Sequence, residues 1–251
     1  MILVTGATDG IGKQTARDLI ARGKDVVIHG RTDEKALRTA KELGASGIWS
    51  CDLSSLAQIR ARFPALPAGI DVVVNNAGLM TSAPQQSAEG HELTFAVNHL
   101  APFLLTKLLL ERGGLRRIVN VASQVHTGGD LDTLGQGSGY AAYSVSKLAN
   151  VLFTFELARR LPAARTTANC LHPGVVSTKL LRQAFGGMAG SESLEEGAAT
   201  SVFLASSPEV EGVTGKYFRS CHEARASAQA HDEKAAKELW ELSENLVKAT
   251  P

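Results

Sequence analysis

Tyr143 and Lys147 stand four residues apart in a stretch with helical patterning, so both side chains share one helix face. A phenol with a pKa of about 10 is a poor proton carrier at neutral pH, and a neighbouring ammonium favours the phenolate and lowers that value. Such a pair can hand a proton to a carbonyl oxygen or take one from an alcohol. Tyr140 lacks the arrangement, because its i+4 neighbour is Ser144. Ser123 follows an apolar run and offers a hydroxyl for a substrate oxygen, or simply a loop cap. Asn98 is polar in an otherwise apolar helix, where it holds a water or Lys147 in a proton relay, or satisfies a local backbone group.

A second cluster suits a phosphate. The segment Thr5-Gly6-Ala7-Thr8-Asp9-Gly10-Ile11-Gly12 links a first strand to a first helix. Glycines let the backbone turn tightly and approach a ligand, and the helix N-terminus then presents N–H groups and partial positive charge to a pyrophosphate. That position, between strand and helix, is the dinucleotide site of a Rossmann unit. The second strand ends in His29-Gly30-Arg31, with no acid at its tip to hold a ribose 2′-hydroxyl. Arg31 suits a 2′-phosphate, so the cofactor expected is NADP(H), with NAD(H) as the alternative. Asp52 and Leu53 after the third strand, and Asn75-Asn76-Ala77-Gly78 after the fourth, fall on the same carboxyl edge. Asp52 is placed to accept from the adenine amino group or to form a local cap.

The elements that must carry these residues follow from hydrophobic periodicity. Strand-like runs cover 2–5, 25–29, 47–51, 71–75, 116–122, 165–171 and 215–219. Helical patterns cover 11–22, 33–43, 54–62, 89–112, 140–160, 193–205 and about 232–247. Several strand runs are apolar without alternation, which fits strands buried on both faces of a parallel sheet. The alternation predicts one α/β domain over 1–251, with a sheet covered by helices on both sides. Leu180, Leu181, Phe185 and Met188, among Gly186, Gly187 and Gly190, suggest a substrate lid at about 178–193 or an ordinary loop.

Composition narrows the function. The chain has 251 residues with 26 basic and 25 acidic side chains, a formal charge of +1, which argues against nucleic acid or an acidic membrane as the main partner. The longest apolar run, 96–110, is broken by Asn98, His99, Pro102 and Lys107, so no membrane span is expected. The first residues read as a strand rather than a signal peptide. Cys51, Cys170 and Cys221 are scattered, as expected of buried thiols in a reducing, cytoplasmic setting. The seven histidines show no metal-ligand spacing, so no metal is expected. His126 and Tyr140 are candidates to face the pocket, or are structural, and His172 reads as a packing residue.

In combination these motifs resemble the short-chain dehydrogenase/reductase family over essentially the whole chain. The resemblance rests on Thr5 to Gly12, Asp52-Leu53, Asn75 to Gly78, Asn98, Ser123, Tyr143 with Lys147, and His172-Pro173-Gly174. Asn98-His99-Leu100-Ala101-Pro102-Phe103, Ser146-Lys147-Leu148-Ala149-Asn150 and Leu239-Trp240-Glu241-Leu242-Ser243 are similar to its retinol dehydrogenase-like branch. The resemblance implies a Rossmann fold with a seven-stranded parallel sheet in the order 3-2-1-4-5-6-7. It implies catalytic residues Asn98, Ser123, Tyr143 and Lys147. It also implies cofactor contacts from Gly6, Thr8, Asp9, Gly10, Ile11 and Gly12, and from Pro173, Gly174, Val176 and Thr178 toward the nicotinamide end. Lys147 would lower the Tyr143 pKa and bind the nicotinamide ribose. The implied substrate is a small-molecule carbonyl or alcohol, and the helices at 89–112 and 140–160 would pack across a two-fold axis in a homodimer or homotetramer. A cofactor-sensing protein without chemistry remains the alternative, and an epimerase or dehydratase a third reading.

Overall fold

The computed structural model describes residues 1–184 and 190–249. Its strands form one sheet in the order β3-β2-β1-β4-β5-β6-β7-β8. They are β1 (Ile2–Val4), β2 (Val26–Gly30), β3 (Gly47–Ser50), β4 (Val72–Asn75), β5 (Arg117–Val121), β6 (Thr167–His172), β7 (Tyr217–Arg219) and β8 (His222–Ala224). The first seven pair in parallel, and β8 returns antiparallel to β7. The seven-stranded expectation is therefore one strand short. A two-residue hairpin connects β7 to β8, with Ser220 and Cys221 at φ of 50° and 63°. Such turns usually announce themselves with Asn or Gly, and here neither is present.

Helices cover both faces. Along β1 the side chains alternate, so Ile2 and Val4 belong to one apolar core and Leu3 to the other. The first core packs under α1 (Gly10–Ala21) and α8 (Leu194–Ser206), with α2 (Asp33–Leu43) at its margin through Ala40. The second lies under α3 (Leu56–Arg62), α5 (Ala101–Arg112), α6 (Gly139–Arg160) and α9 (Glu233–Lys248). Local sequence sets the helix starts. Asp9 caps α1, Thr32 caps α2, and Ser193 with Glu196 forms a reciprocal capping box on α8.

The helix expected over 89–112 begins later, with Glu92 capping α4 (Leu93–Phe95). It passes through a π turn (Ala96–Leu100) before α5. On averaged hydropathy this stretch, Leu93–Arg112, is long and apolar enough to cross a membrane, contrary to the reading by uninterrupted runs. In the fold, 78% of that apolar window is buried inside the protein. On the outer side of α5 and α6 lies α9, whose Trp240 meets Phe103 at 5.0 Å and Phe153 at 6.0 Å. Part of the face expected to meet a second subunit is thus covered from within the chain.

Candidate active site

The strand order reverses between β1 and β4, and ligands of open α/β sheets bind at the carboxyl ends beside such a reversal. The loops after β1 and β4 meet there. Asn76 Nδ2 donates to Thr5 O at 2.8 Å, while Thr5 Oγ1 accepts from Asn76 N at 2.9 Å and Ala77 N at 3.0 Å. Gly6 takes a φ of 63° and its N–H donates to His29 Nδ1 at 3.0 Å. The other ring nitrogen of His29 then donates to Cys51 O at 3.0 Å, so one neutral imidazole ties the glycine loop to β2 and to the end of β3. Burial pushes the His29 pKa down to about 4, which keeps that tautomer neutral. A Cβ on Gly12 would lie 2.3 Å from Asn76 Nδ2 and 2.4 Å from Gly6 O. The sequence points to the Asn75 to Gly78 motif without singling out Asn76, and to His29 as a strand end without a role.

The expected cofactor residues divide by where their side chains go. Thr8 Cγ2 lies 2.7 Å from where a Gly30 Cβ would stand, so Gly30 lets the first loop close over the tip of β2. Ile11, Val176 and Pro173 converge around Gly197, whose absent side chain leaves them room. Thr178 approaches Gly10, and Lys179 pairs with Asp9 at 2.6 Å, holding the Asp9 carboxyl below its usual range. Arg31 is exposed and makes no ion pair among the described residues. Asp52 uses its carboxylate on Ser54, accepting from N at 2.9 Å and Oγ at 2.8 Å. Leu53 is a core side chain. Asn75 turns inward, donating to Asn120 Oδ1 at 2.8 Å and Thr106 Oγ1 at 3.2 Å, so its side chain is not on the cofactor edge.

Past β4 the proton-handling residues gather. Lys147 is 3% exposed, and its Nζ donates to Val121 O at 2.8 Å, at the end of β5. The same Nζ lies 5.4 Å from the Tyr143 ring centroid. Gly78 leaves this corner open, since a Cβ there would reach Asn98 Oδ1 at 3.3 Å and Lys147 Nζ at 3.6 Å. Asn98 sits in the π turn, a feature frequent at functional sites. It clamps Leu79 from both sides, accepting from its N at 2.8 Å and donating to its O at 2.9 Å, and donates to Ser146 Oγ at 3.0 Å. Ser146 in turn donates to Tyr143 O at 2.7 Å. Asn98 therefore satisfies a backbone group nineteen residues away rather than a local one, and is linked to the Tyr143 turn of α6 through Ser146. Ser123 follows β5 in an extended backbone, and among the described residues its Oγ takes only a long 3.4 Å bond from Val125 N.

Electrostatics at this corner differ from the sequence expectation. Burial raises the Tyr143 phenol above its ordinary value. Burial also lowers Lys147, to about 8. Desolvation acts on both partners and sets the direction of each shift, and the ammonium is directed at the Val121 carbonyl.

The expected lid starts from a clamped base. Val176 and Glu192 form a parallel bridge, Glu192 Oε2 accepts from Val175 N at 2.9 Å, and Gly190 N donates to Ser177 Oγ at 2.7 Å. Between these ends runs α7 (Lys179–Ala184), with Leu181 buried and Leu180 half-buried. Phe185, Gly186, Gly187 and Met188 lie outside the described residues. His172 is 3% exposed and both its ring nitrogens lack a partner among the described residues. No cluster of three metal-ligating side chains occurs among the described residues.

The sequence profile of the short chain dehydrogenase family matches residues 1–188. Retinol dehydrogenase 14 of Homo sapiens is 39% identical over 98% of this chain and 85% of its own length. A crystal structure of a putative uncharacterized protein from Mycobacterium Paratuberculosis is 34% identical, with a TM-score of 0.83 over 98% of this chain and 92% of that one. A blue fluorescent protein from a metagenomic library, solved in complex with NADPH, is 27% identical, with a TM-score of 0.69 over 86% of this chain and 94% of that one.

Proposed function

The chain belongs to the short-chain dehydrogenase/reductase family, and from that premise we propose that it interconverts a carbonyl and an alcohol using NADP(H). The observation that carries the reading is the buried Tyr143–Lys147 pair, with Lys147 bonded to Val121 O at the end of β5, two residues before Ser123. A nicotinamide cofactor fits the neighbouring loop. Gly6 and Gly10 adopt positive φ, Gly12 has no room for a side chain, and the N-terminus of α1 offers its N–H groups to a pyrophosphate. The cofactor, when bound, supplies or accepts the hydride.

The chain's own groups handle the oxygen and its proton. Ser123 Oγ, nearly free of internal bonds among the described residues, donates to the carbonyl oxygen and orients it. Tyr143 gives its phenolic proton to that oxygen in reduction and takes it back in oxidation. Its raised pKa keeps it protonated at neutral pH, which suits the acid role in reduction. Lys147, as an ammonium, stabilises the phenolate left behind. Asn98 holds the Leu79 backbone and, through Ser146, the turn that carries Tyr143. The NADP(H) preference rests on Arg31. The nearest acid that follows it, Asp33, accepts from Ser50 Oγ, which leaves Arg31 as the free charge at the β2 tip.

The retinol dehydrogenase relative directs the substrate panel toward apolar aldehydes, ketones and alcohols. A panel of these, run with NADPH and NADH side by side and followed at the nicotinamide absorbance, tests the reading. Turnover of carbonyls with NADPH in preference to NADH is expected. Tight cofactor binding without turnover of any carbonyl or alcohol would overturn the enzymatic reading, and preference for NADH would overturn the assignment to Arg31.

A further inference from the structure

His126 stands three residues past Ser123 in the 3-10 turn Gln124–Gly128, and it is 2% exposed. Both ring nitrogens are engaged. Ser227 N lies 3.0 Å from Nε2, and because a backbone N–H only donates, Nε2 must be the bare acceptor. The ring proton is then on Nδ1, which donates to Ser123 O at 2.7 Å. Tyr217 packs on the ring with centroids 5.0 Å apart. The end of the same loop is pressed on α6, where a Cβ on Gly129 would lie 2.8 Å from Leu148 Cβ and 3.0 Å from Ser144 O. Ser123 itself is extended, at φ −164° and ψ 157°, so the direction of its side chain follows from how its peptide planes are held. Its Oγ contributes little to holding them, with only the 3.4 Å bond from Val125 N among the described residues.

We propose that His126 is a positioning residue for Ser123: the Ser227 N–H fixes a single neutral tautomer, and the Nδ1–H so placed holds the serine carbonyl and with it the direction of the Ser123 hydroxyl. The proposal rests on Ser123 meeting the substrate oxygen, as read above. A group aimed at a reacting atom needs such a restraint, since an error of about 1 Å can cost about a hundredfold in rate. The fastening is chemically directional. One ring nitrogen must donate and the other must accept, so neither a protonated imidazole nor the opposite tautomer can make both bonds.

Two substitutions separate this role from simple filling of space. His126→Asn keeps an amide donor close to the place of Nδ1 and loses the reach to Ser227. His126→Gln is nearer in volume and reaches Ser227 with its carbonyl, but it has no donor at the Nδ1 position. With a carbonyl substrate and NADPH, His126→Asn should keep kcat within about threefold and His126→Gln should lose about tenfold or more. The cofactor KM should hold in both. A glutamine variant equal to or faster than the asparagine variant would overturn the proposal in favour of packing. Ser123→Ala serves as the reference: if that variant turns over normally, it is the reading of Ser123 as the oxygen-binding group that fails. The ring ¹⁵N shifts of His126 in the unsubstituted protein give a readout independent of turnover. An Nδ1–H tautomer at neutral pH is expected, and an Nε2–H tautomer would overturn the proposal.

Discussion

Tyr143 and Lys147 are both cut off from water, and burial moves their ionisations in opposite senses, the phenol up and the ammonium down to about 8. The pH dependence of the reaction follows from that pair. Below pH 8 the lysine is charged and the phenol protonated, so kcat/KM for carbonyl reduction should be flat through neutrality. Above about pH 8 it should fall with unit slope as Lys147 loses its proton and no longer stabilises the nascent phenolate. A break near the ordinary lysine value of about 10.4 would show that Lys147 is not desolvated in solution. In the proposed function Arg31 acts at the far end of the cofactor. A charge-assisted contact is worth about 1.5–3 kcal/mol, so Arg31→Ala should raise the NADPH KM roughly 10- to 100-fold and leave the NADH KM nearly unchanged. Steady-state kinetics with the two cofactors check this. Residue type and local spacing are enough to single out Tyr143, Lys147, Ser123 and Arg31 as candidates in the sequence. The direction of the Tyr143 shift is not legible there, because it depends on burial.

At the scale of elements, the glycine loop is a piece of backbone with no slack. The loop after β1, the loop after β4 and the tip of β2 are fastened together by Asn76, Thr5 and His29. Gly12→Ala would press its methyl against Asn76 Nδ2 and the Gly6 carbonyl. Overpacking of this kind costs about 1–3 kcal/mol, so the variant should melt lower and bind NADPH at least about tenfold more weakly, as calorimetry and fluorescence titration would read. The parallel strands could be read from their unbroken apolar runs, and α1, α2, α6 and α9 from their periodicity. Three features could not. The β8 strand has three residues and follows a turn built from Ser220 and Cys221, outside the usual hairpin vocabulary. The π turn at Asn98 has the same apolar pattern as an α-helix. Asn75 and Asn76 are adjacent and chemically identical, and only strand pleating decides that Asn75 faces the core while Asn76 holds the loop.

Across the whole molecule, the second apolar core is bordered by two buried histidines that stay neutral, His29 against Trp49 and His99 against Phe95, Phe103 and Phe153. His29 and His99 are each about 4 rather than 6.5 because burial penalises their charged forms. His29 ties the cofactor loop, and His99 bonds to Ser243 Oγ of α9 at 2.8 Å, among Phe95, Phe103 and Phe153. Unfolding lets both take up protons between pH 6.5 and 4. Their contribution is therefore complete above the unfolded value and is lost as pH falls toward the folded one. The loss should approach about 3 kcal/mol for each group by the lower limit. The melting temperature should fall steadily as pH drops from 6.5 to 4, and a flat profile would contradict this. The central claim of the proposed function is one proton transfer from Tyr143 beside a nicotinamide. The most direct test of that claim is the turnover of Tyr143→Phe with NADPH and a carbonyl that the unsubstituted protein reduces. The account predicts a loss of about 10²- to 10⁴-fold in kcat with NADPH affinity retained. Turnover at the unsubstituted rate would contradict it.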